Sequence, residues 1–328
     1  MLRVLSLFSG IGAFEKALKN IGKDFELVNY CEIDKYASKT YSQIHNVSED
    51  LNLWDITKID TSKLHDIDLI TYGFPCQDIS IAGHQKGFID DNCNRTRSGL
   101  FFEALRIIKD MQPKFAIAEN VKALTSKKFK SEFDIVLNSL HDAGYNNYYQ
   151  VLNAKDYGIP QNRERLWIFA YLGELPKRFN MVPDVIPEEE RPRLSAFLDK
   201  TPLEEVYLKP SQVEHFIDVH TKHGFKEWIV NEPLCFDVYN HKMKKNAITN
   251  TLTEPSHNIT RIVEPPLEDG TIRVRKLSIY EQFRLMGFED GEIVFPDDLN
   301  YSQISARAGN GWDVHLVGLL LKHIFDQL

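Results

Sequence analysis

Apolar residues in the first 172 positions alternate between short continuous runs and helically spaced sets. The continuous runs predict buried strands at Arg3–Phe8, Phe25–Cys31, Ile67–Tyr72, Lys114–Ala118, Tyr145–Leu152 and Leu166–Tyr171. The spaced sets predict helices at Ala13–Ile21, Lys35–Ile44, Leu100–Met111 and Glu132–Ala143. Strands that alternate with helices are typical of an α/β protein with a doubly wound sheet.

The alternation stops after Leu172. Six prolines fall between residues 176 and 210, periodicity is weak, and an acidic run occupies Glu188–Glu190. We predict a main domain of residues 1–174 and 273–328 that carries a smaller irregular domain, residues 175–272. Helical spacing resumes at Ser278–Met286 with a serine in the capping position, and Val314–Phe325 predicts an apolar final helix.

Bulk composition indicates a globular enzyme. The apolar share of 43% and the charged share of 26% are ordinary for a soluble protein. No run approaches the roughly 18 consecutive apolar residues of a membrane span, and the first predicted strand begins too early for a signal peptide. The four cysteines lack ligand-like spacing, so neither a disulfide framework nor a structural zinc site is expected. A reduced, cytoplasmic location fits best.

The net charge of −8 argues at first sight against a nucleic-acid partner. The acidity is uneven, however. Residues 277–328 carry three basic and eight acidic side chains, whereas residues 209–276 carry ten basic and nine acidic ones together with five histidines. The middle region therefore has room for a local basic face, although a mixed solvated surface explains the same counts. Charge alone leaves both interpretations open.

A glycine-containing turn, residues 8–12 (Phe-Ser-Gly-Ile-Gly), follows the first predicted strand. Such a turn lets a ligand approach the backbone closely, but it is equally common as a purely structural feature. Glu32 ends the second strand, where a carboxylate can accept the ribose hydroxyls of an adenosine ligand. Asp55 follows a third segment and either takes the adenine amino group or caps a helix before Thr57. Together these positions predict adenosine binding, without separating a dinucleotide from S-adenosylmethionine.

A second turn, residues 73–77 (Gly-Phe-Pro-Cys-Gln), places Cys76 at a strand end, where ligands of such sheets bind. A free cysteine is more often a small buried apolar residue. Two neighbours favour chemistry instead, because Glu119 ends the next strand and Arg163 and Arg165 alternate along the segment 161–165. Glu119 and Arg165 alone would be explained by a salt bridge. A thiol, a carboxylic acid and an arginine beside an adenosine site predict covalent catalysis.

Eight segments resemble the bacterial and phage cytosine carbon-5 DNA methyltransferase family, in the order FSGIG, CEID, WDI, GFPCQ, ENV, QNRER, RKLSIYEQFRLMGF and GN. The resemblance covers residues 1–172 and about 247–328, and the ordered combination of GFPCQ, ENV and QNRER is highly specific. It implies that the main domain is catalytic, with the Rossmann-like doubly wound sheet of S-adenosylmethionine-dependent methyltransferases. It also implies that residues 175–272 form a target-recognition domain.

The resemblance implies a covalent mechanism for methyl transfer to carbon 5 of cytosine. Carbon 5 is too weak a nucleophile by itself, and addition of the Cys76 thiolate to carbon 6 would activate it. Glu119 would protonate ring N3 and bind the exocyclic amino group. Arg165 would hold the base O2, and Arg163 would support the same region. Methyl transfer, loss of the carbon-5 proton and elimination of the thiol would complete the cycle.

The implied cofactor is S-adenosylmethionine, which becomes S-adenosylhomocysteine, and no metal is implied. Phe8 would stack on the adenine, Glu32 would take the ribose and Asp55 the adenine amino group. Asn310 would approach the methionine end. The predicted cofactor residues are Phe8, Gly10, Gly12, Glu32, Ile33, Asp55, Ile56, Pro75 and Asn310.

The implied substrate is double-stranded DNA, whose target cytosine must leave the base stack to reach Cys76. Residues 78–99 would close over the DNA. The predicted DNA contacts are Gln77, Lys86, Arg97 and Thr251. A monomer is expected, and any cognate restriction endonuclease would not bind it directly.

Some positions depart from the family pattern. Ser6 stands where an Asp is frequent, and Ala13 stands where a Gly is frequent. The final Gly-Asn is followed by Gly311-Trp312 rather than by a small residue and Val, which leaves the Asn310 contact open.

Two alternative functions belong to different classes. One branch of the family methylates a tRNA cytosine and carries a Cys-Phe-Thr step, of which Cys235-Phe236-Asp237 is a partial echo. The other alternative is a catalytically silent DNA-binding homologue. The joint presence of Cys76, Glu119 and Arg165 argues against it.

Overall fold

The computed structural model describes residues 1–75, 78, 87–88, 96–255, 260–292 and 294–328, and of Lys245 the backbone only. Cys76, Gln77 and Lys86 therefore lie outside the described residues. The chain divides into two compact units. The first comprises residues 1–152, 164–184 and 317–328, and the second comprises residues 153–163 and 185–316. Residues 273–316, which the sequence groups with the catalytic domain, lie in the second unit, and the functional division at 175–272 stays a prediction.

The first unit is built on a six-stranded sheet. Its strands are β1 (Leu2–Leu7), β2 (Phe25–Cys31), β3 (Leu69–Tyr72), β4 (Phe115–Val121), β5 (Tyr145–Asn153) and β6 (Glu164–Leu172), in the order β2-β1-β3-β4-β6-β5. Strands β1 to β4 are parallel, whereas β6 is antiparallel to β4. Because β2 lies on one side of β1 and β3 on the other, the strand order reverses at β1 and β3. Their carboxyl ends mark the crevice where open α/β sheets bind ligands.

Four helices of this unit are α1 (Ala13–Asn20), α2 (Lys35–His45), α3 (Phe101–Met111) and α4 (Lys130–Asp142). The Asp34 carboxylate starts α2 by accepting the amide hydrogens of Tyr36 and Ala37 at 2.8 and 3.2 Å. The apolar faces of α3 and α4 belong to one buried core with β3 and β4, which includes Ile108 and Leu140. The predicted strands and helices of the first 172 residues are confirmed. Their ends lie within two residues of the predicted ones, except that β4 extends three residues further.

The second unit has regular structure where the sequence predicts an irregular region. It contains α5 (Pro210–Lys222) and strands β7 (Leu234–Asp237), β8 (Lys242–Met243), β9 (Thr260–Val263) and β10 (Val274–Arg275), in the order β10-β9-β7-β8. A small core of its own includes Val213, Trp228, Phe236 and Val263. The sequence does not reveal these short elements individually, for two reasons. Strands of two to four residues are too short to show alternation, and Pro210 begins a helix rather than breaking one.

Helices α6 (Ile279–Arg284), α7 (Tyr301–Asn310) and α8 (Val314–Phe325) complete the chain. The predicted cap of α6 is confirmed, because Ser278 and Glu281 form a reciprocal capping box. The Glu281 carboxylate also accepts hydrogen bonds from both terminal nitrogens of the buried Arg275, at 2.8 and 2.9 Å. The family-like segment that starts at Arg275 thus contains a buried ion pair, which joins Arg275 to the first turn of α6. Among the helices in the described residues, none combines the length and apolar character needed to cross a membrane.

Candidate active site

The strand directions collect the predicted site residues of the first unit at one sheet edge. Strands β1 to β4 are parallel, so their carboxyl ends share an edge, and the antiparallel β6 begins at that same edge. Phe8 follows β1, Glu32 follows β2, Pro75 lies in the turn after β3 and Glu119 lies near the end of β4. Arg165 is the second residue of β6. Residues far apart in sequence are therefore brought to one crevice.

The carboxylate and the arginine form an ion pair. In the β4–β6 register Glu119 lies opposite Trp167 and Arg165 lies opposite Val121, so Glu119 and Arg165 are diagonal neighbours on one face of the sheet. Arg165 Nε lies 2.8 Å from Glu119 Oε1, and the side chains are 18% and 10% exposed. This contact is the salt bridge that the sequence left open as the simpler explanation. The catalytic roles of the two residues stay predictions.

The turn that leads to Cys76 is fixed from the neighbouring strand. Asn120 Nδ2 donates to the Phe74 carbonyl at 3.1 Å, and its own Oδ1 accepts the Val121 amide hydrogen at 2.8 Å. Phe74 is buried and packs on the Phe101 ring at 5.4 Å between centroids. Asn120 thus joins the ends of β3 and β4, a role that its place in the ENV segment alone does not reveal.

Described residues of the predicted closing segment are linked at its base. The Asp78 carboxylate accepts the Ser98 amide hydrogen at 3.2 Å, and the Ser98 hydroxyl accepts the Asp78 amide hydrogen at 3.3 Å. The Thr96 hydroxyl donates to the Gly87 carbonyl at 2.6 Å. Arg97 is exposed beside these contacts, as a DNA contact requires.

Glu32 is held from three directions at the end of β2. Its Oε2 accepts the Gly10 amide hydrogen and its Oε1 accepts the Asp34 amide hydrogen, each at 2.8 Å. Asn52 binds the Glu32 backbone, accepting from its N–H at 3.0 Å and donating to its carbonyl at 2.9 Å. The carboxylate is thereby held at the glycine turn, where the sequence predicts the ribose. Sequence reasoning missed Asn52, whose only signal is its place shortly before Asp55.

The glycine turn rests on two side chains of α2. Gly12 has φ +76°, and a Cβ there would lie 2.1 Å from His45 Nε2 and 2.7 Å from the Tyr41 ring. His45 Nε2 lies 3.0 Å from the Ile11 carbonyl, and because a carbonyl only accepts, this nitrogen carries the proton. Burial lowers the pKa of His45 to about 4, which keeps the ring neutral. Sequence reasoning missed His45 as well, since it lies 34 positions from Ile11.

The cofactor end of the site fits an adenosine ligand. Among the described residues, neighbours in the chain aside, no atom lies within 4 Å of the position that a Cβ of Gly10 would take, so the turn leaves room above its backbone. Phe8 and Trp54 both adopt left-handed backbone conformations, with φ of 55° and 60°, which bulky residues rarely keep outside functional sites. Ile33 is 73% exposed. Described histidine, cysteine, aspartate and glutamate side chains form no group of three that could hold a metal ion.

Asp55 and Ile56 have structural roles in addition to any ligand contact. The Asp55 carboxylate accepts the amide and hydroxyl hydrogens of Thr57 at 3.1 and 2.7 Å, which confirms the capping interpretation. Hydrogen bonds from Thr57 and Lys58 lower the pKa of Asp55. The Ile56 side chain is buried in the core. Their contacts with adenine stay predictions.

Arg163 differs from Arg165 in its surroundings. It lies in the second unit, is 3% exposed and donates to three backbone carbonyls: Leu252 at 3.0 Å, Gly309 at 3.3 Å and Gly311 at 2.7 Å. These contacts hold the two segments that carry Thr251 and Asn310. Arg163 is therefore a buried organiser of backbone in the second unit, and its predicted support of catalysis stays a prediction.

Thr251 and Asn310 both use their side chains within the second unit. The Thr251 hydroxyl donates to the Asn162 carbonyl at 2.6 Å, and Asn310 Nδ2 donates to Glu254 Oε1 at 2.8 Å. A Cβ at Gly309 would lie 2.4 Å from the Thr253 carbonyl carbon, so only glycine permits this approach. The predicted contacts of Thr251 with DNA and of Asn310 with the cofactor stay predictions.

The close approach of Gly12 to His45 and Tyr41 gives the first testable prediction. Gly12→Ala places a methyl group against His45 and Tyr41 and forces the turn to move, so we expect affinity for S-adenosylmethionine to fall at least tenfold, about 1.4 kcal/mol. Isothermal calorimetry measures it. Gly22→Ala is the matched control, because Gly22 has φ +68° but, in the part of the chain that the structure describes, no atom beyond its chain neighbours within 4 Å of the added carbon. An equal loss of affinity in both variants would show that backbone strain lowers the affinity, rather than the contact with His45 and Tyr41.

Comparisons with known proteins agree with this arrangement. The sequence profile of the family described as C-5 cytosine-specific DNA methylase matches residues 2–326. Orphan methyltransferase M.SPRI of Bacillus phage SPR is 48% identical over 176 residues, which cover 54% of this chain and only 39% of that protein. Type II methyltransferase M2.ScrFI of Lactococcus lactis subsp. cremoris is 30% identical, with 100% of both chains covered.

A solved structure shows the same fold. The Dnmt2 methyltransferase of S. pombe superimposes with a TM-score of 0.69 at 21% identity, over 99% of each chain. The main sheet is thus that of S-adenosylmethionine-dependent methyltransferases, as the sequence predicts. The chain belongs to the C-5 cytosine-specific DNA methylase family.

Proposed function

We propose that this protein is a DNA (cytosine-5-)-methyltransferase that modifies a flipped-out cytosine in duplex DNA, with Cys76 as the nucleophile. The observation that carries the proposal is the pairing of Glu119 with Arg165 at the sheet edge, next to the turn that leads to Cys76. Strands β4 and β6 hold the Glu119 carboxylate and the Arg165 guanidinium 2.8 Å apart. Asn120 of β4 binds the Phe74 carbonyl and so fixes the turn that leads to Cys76. A base that enters this crevice meets rigid partners.

Each of these groups has a role in the proposed chemistry. The Cys76 sulfur bonds to carbon 6 of the cytosine, and the ring electrons shift toward carbon 5, which becomes nucleophilic. Glu119, in its protonated form, binds N3 and the exocyclic amino group and donates its proton to N3 as carbon 6 is attacked, and it takes this proton back when the thiolate leaves. Arg165 binds O2 and keeps Glu119 in place. After carbon 5 is methylated and has lost its proton, the carbon–sulfur bond breaks and the thiolate is restored.

S-adenosylmethionine, when bound, supplies an electrophilic methyl group. On this chain Glu32 would bind the ribose, Phe8 would cover the adenine, and the backbone of residues 10–12 would approach the ligand. His45 and Asn52 position these groups through hydrogen bonds within the protein. The remaining predicted contacts, at Ile33, Asp55, Ile56, Pro75 and Asn310, complete the proposed site.

DNA is favoured over RNA as the substrate. The relatives reported above are named as orphan and type II methyltransferases. The tripeptide Cys235-Phe236-Asp237, which partly matches the RNA-modifying branch, lies in strand β7. Its residues are 0%, 0% and 2% exposed. Packing in a small core is a sufficient reason for this tripeptide. We therefore propose double-stranded DNA as the partner, contacted by Gln77, Lys86, Arg97 and Thr251.

The nucleophile gives the second prediction. Cys76→Ala should keep its affinity for S-adenosylmethionine and lose methyl transfer by more than about a thousandfold, since the alanine methyl group cannot form the bond to carbon 6. Bisulfite sequencing of DNA, and of tRNA in a parallel arm, measures the transfer. Cys235→Ala is the control, because this cysteine is free and buried in strand β7, and the folded variant should keep its methyl transfer. Methylation by Cys76→Ala at the wild-type rate would refute the mechanism, and wild-type activity on tRNA alone would refute the substrate.

The predicted target-recognition domain gives the third prediction. If residues 175–272 read the DNA sequence, replacing them with the corresponding segment of a relative of different specificity should transfer that specificity. The second unit also holds residues 153–163 and 273–316, so a parallel chimera that exchanges the whole unit is the control for misfolding. Genome-wide methylation mapping identifies the modified site. An active 175–272 chimera that retains the original site would show that sequence reading lies elsewhere.

A further inference from the structure

A cluster of four lysines follows directly after β4, in a chain whose net charge is −8. Lys122, Lys127, Lys128 and Lys130 are all exposed, and we call residues 122–130 the lysine turn. It consists of two short 3-10 helices, Lys122–Thr125 and Lys127–Phe129, and the first residue of α4. Neither the predicted DNA contacts nor the proposed catalytic roles involve any of these lysines.

The lysine turn is anchored from below and placed beside the candidate active site. Leu124 is 0% and Phe129 is 4% exposed, and both belong to the core of the first unit. Its first residue lies three positions after Glu119. On the other side, a Cβ at Gly87 would lie 2.2 Å from Glu132 Oε1, so the described part of the predicted closing segment contacts the start of α4. The backbone of the lysine turn is therefore anchored in the core, at the sheet edge where the cytosine would enter.

The charges at the two ends of the turn are paired within the protein. Lys122 Nζ lies 2.8 Å from Glu164 Oε1, and Lys130 Nζ lies 2.5 Å from Asp134 Oδ2. Between them, Lys127 and Lys128 are consecutive exposed cations, and the Lys128 ammonium also lies over the Phe129 ring at 5.5 Å. Two adjacent like charges repel each other, and a polyanion that reaches both relieves this repulsion. Phosphates of a nucleic-acid backbone have this chemistry.

We propose that Lys127 and Lys128 of the lysine turn bind the phosphate backbone of duplex DNA beside the flipped cytosine. This inference rests on the proposed function and adds to it a contact surface in the first unit. Phosphate contacts position a protein on DNA but carry no sequence information. The lysine turn thus holds the DNA over Glu119, while base reading belongs to other residues.

The double variant Lys127→Gln/Lys128→Gln tests the proposal through the salt dependence of DNA binding. Each lost phosphate contact removes about 0.9 from the slope of log affinity against log salt concentration, so we expect the slope to fall by about 1.8. Affinity for S-adenosylmethionine and the methylated sequence should not change. Fluorescence anisotropy with duplex DNA from 50 to 200 mM salt, roughly the range in which such contacts weaken, gives the slope.

Lys63→Gln/Lys109→Gln is the matched control. Both lysines are exposed, and their segments meet before the amino ends of β3 and β4, where the Thr61 hydroxyl donates to Asp110 at 2.7 Å. This pair should leave the slope unchanged.

Different outcomes contradict the DNA contact of the lysine turn and the proposed function. A wild-type slope in Lys127→Gln/Lys128→Gln, on DNA that the protein demonstrably methylates, overturns the lysine turn alone. A change in the methylated sequence would also overturn it, because the lysines would then be reading bases. Absence of methylation of any DNA by the wild type contradicts the proposed function itself.

Discussion

The antiparallel pairing of β6 with β4 is the constraint on which the candidate site depends. A strand parallel to β4 would bring its last residues to the carboxyl edge of the sheet. Because β6 runs the other way, its first residues lie there, and Arg165 meets Glu119 at 2.8 Å. The polar segment 161–165 must therefore precede the apolar part of the strand. The same geometry explains why two arginines only two positions apart differ: β6 begins at Glu164, so Arg163 lies before the strand and binds carbonyls of the second unit.

The cofactor end depends on a closed set of contacts around the glycine turn. Gly10 donates to Glu32, Asn52 holds the backbone of Glu32, and the Asn52 amide also donates to Ser38 at 2.9 Å. From the other side, His45 binds the turn carbonyl and excludes any side chain at residue 12. These hydrogen bonds hold the turn and the Glu32 carboxylate in fixed positions. A ligand would meet groups already in place, which lowers the entropy cost of binding.

The departure of Ser6 from the family pattern has a local counterpart in the structure. Ser6 is buried and its hydroxyl accepts from Thr71 at 3.1 Å. Glu15, in the first turn of α1, is 1% exposed, and burial raises its pKa although the Ser6 hydroxyl opposes the shift. The side of the sheet below the glycine turn therefore does contain an acidic group, supplied by the helix rather than by the strand.

The sequence predicts the first 172 residues well because long apolar runs and amphipathic spacing determine them locally. Strand ends could be aligned from the pattern alone, which is why Glu32, Glu119 and Arg165 were expected at one edge. In the second unit the helix α6 and its cap could be predicted, but the strands could not, since β8 and β10 have only two residues and depend on pairing with neighbouring strands. His45 was missed for a similar reason. Its role comes from a contact across 34 positions that no local pattern encodes.

The formation of a covalent protein–DNA complex tests the central claim most directly. In duplex DNA with 5-fluorocytosine at the methylated position, fluorine cannot leave as a cation, so the adduct between carbon 6 and Cys76 should persist. The account predicts a denaturant-stable protein–DNA band that requires S-adenosylmethionine, the fluorinated base and Cys76. Absence of this band for the wild-type protein, on a sequence that it methylates when the base is ordinary cytosine, would contradict the covalent mechanism.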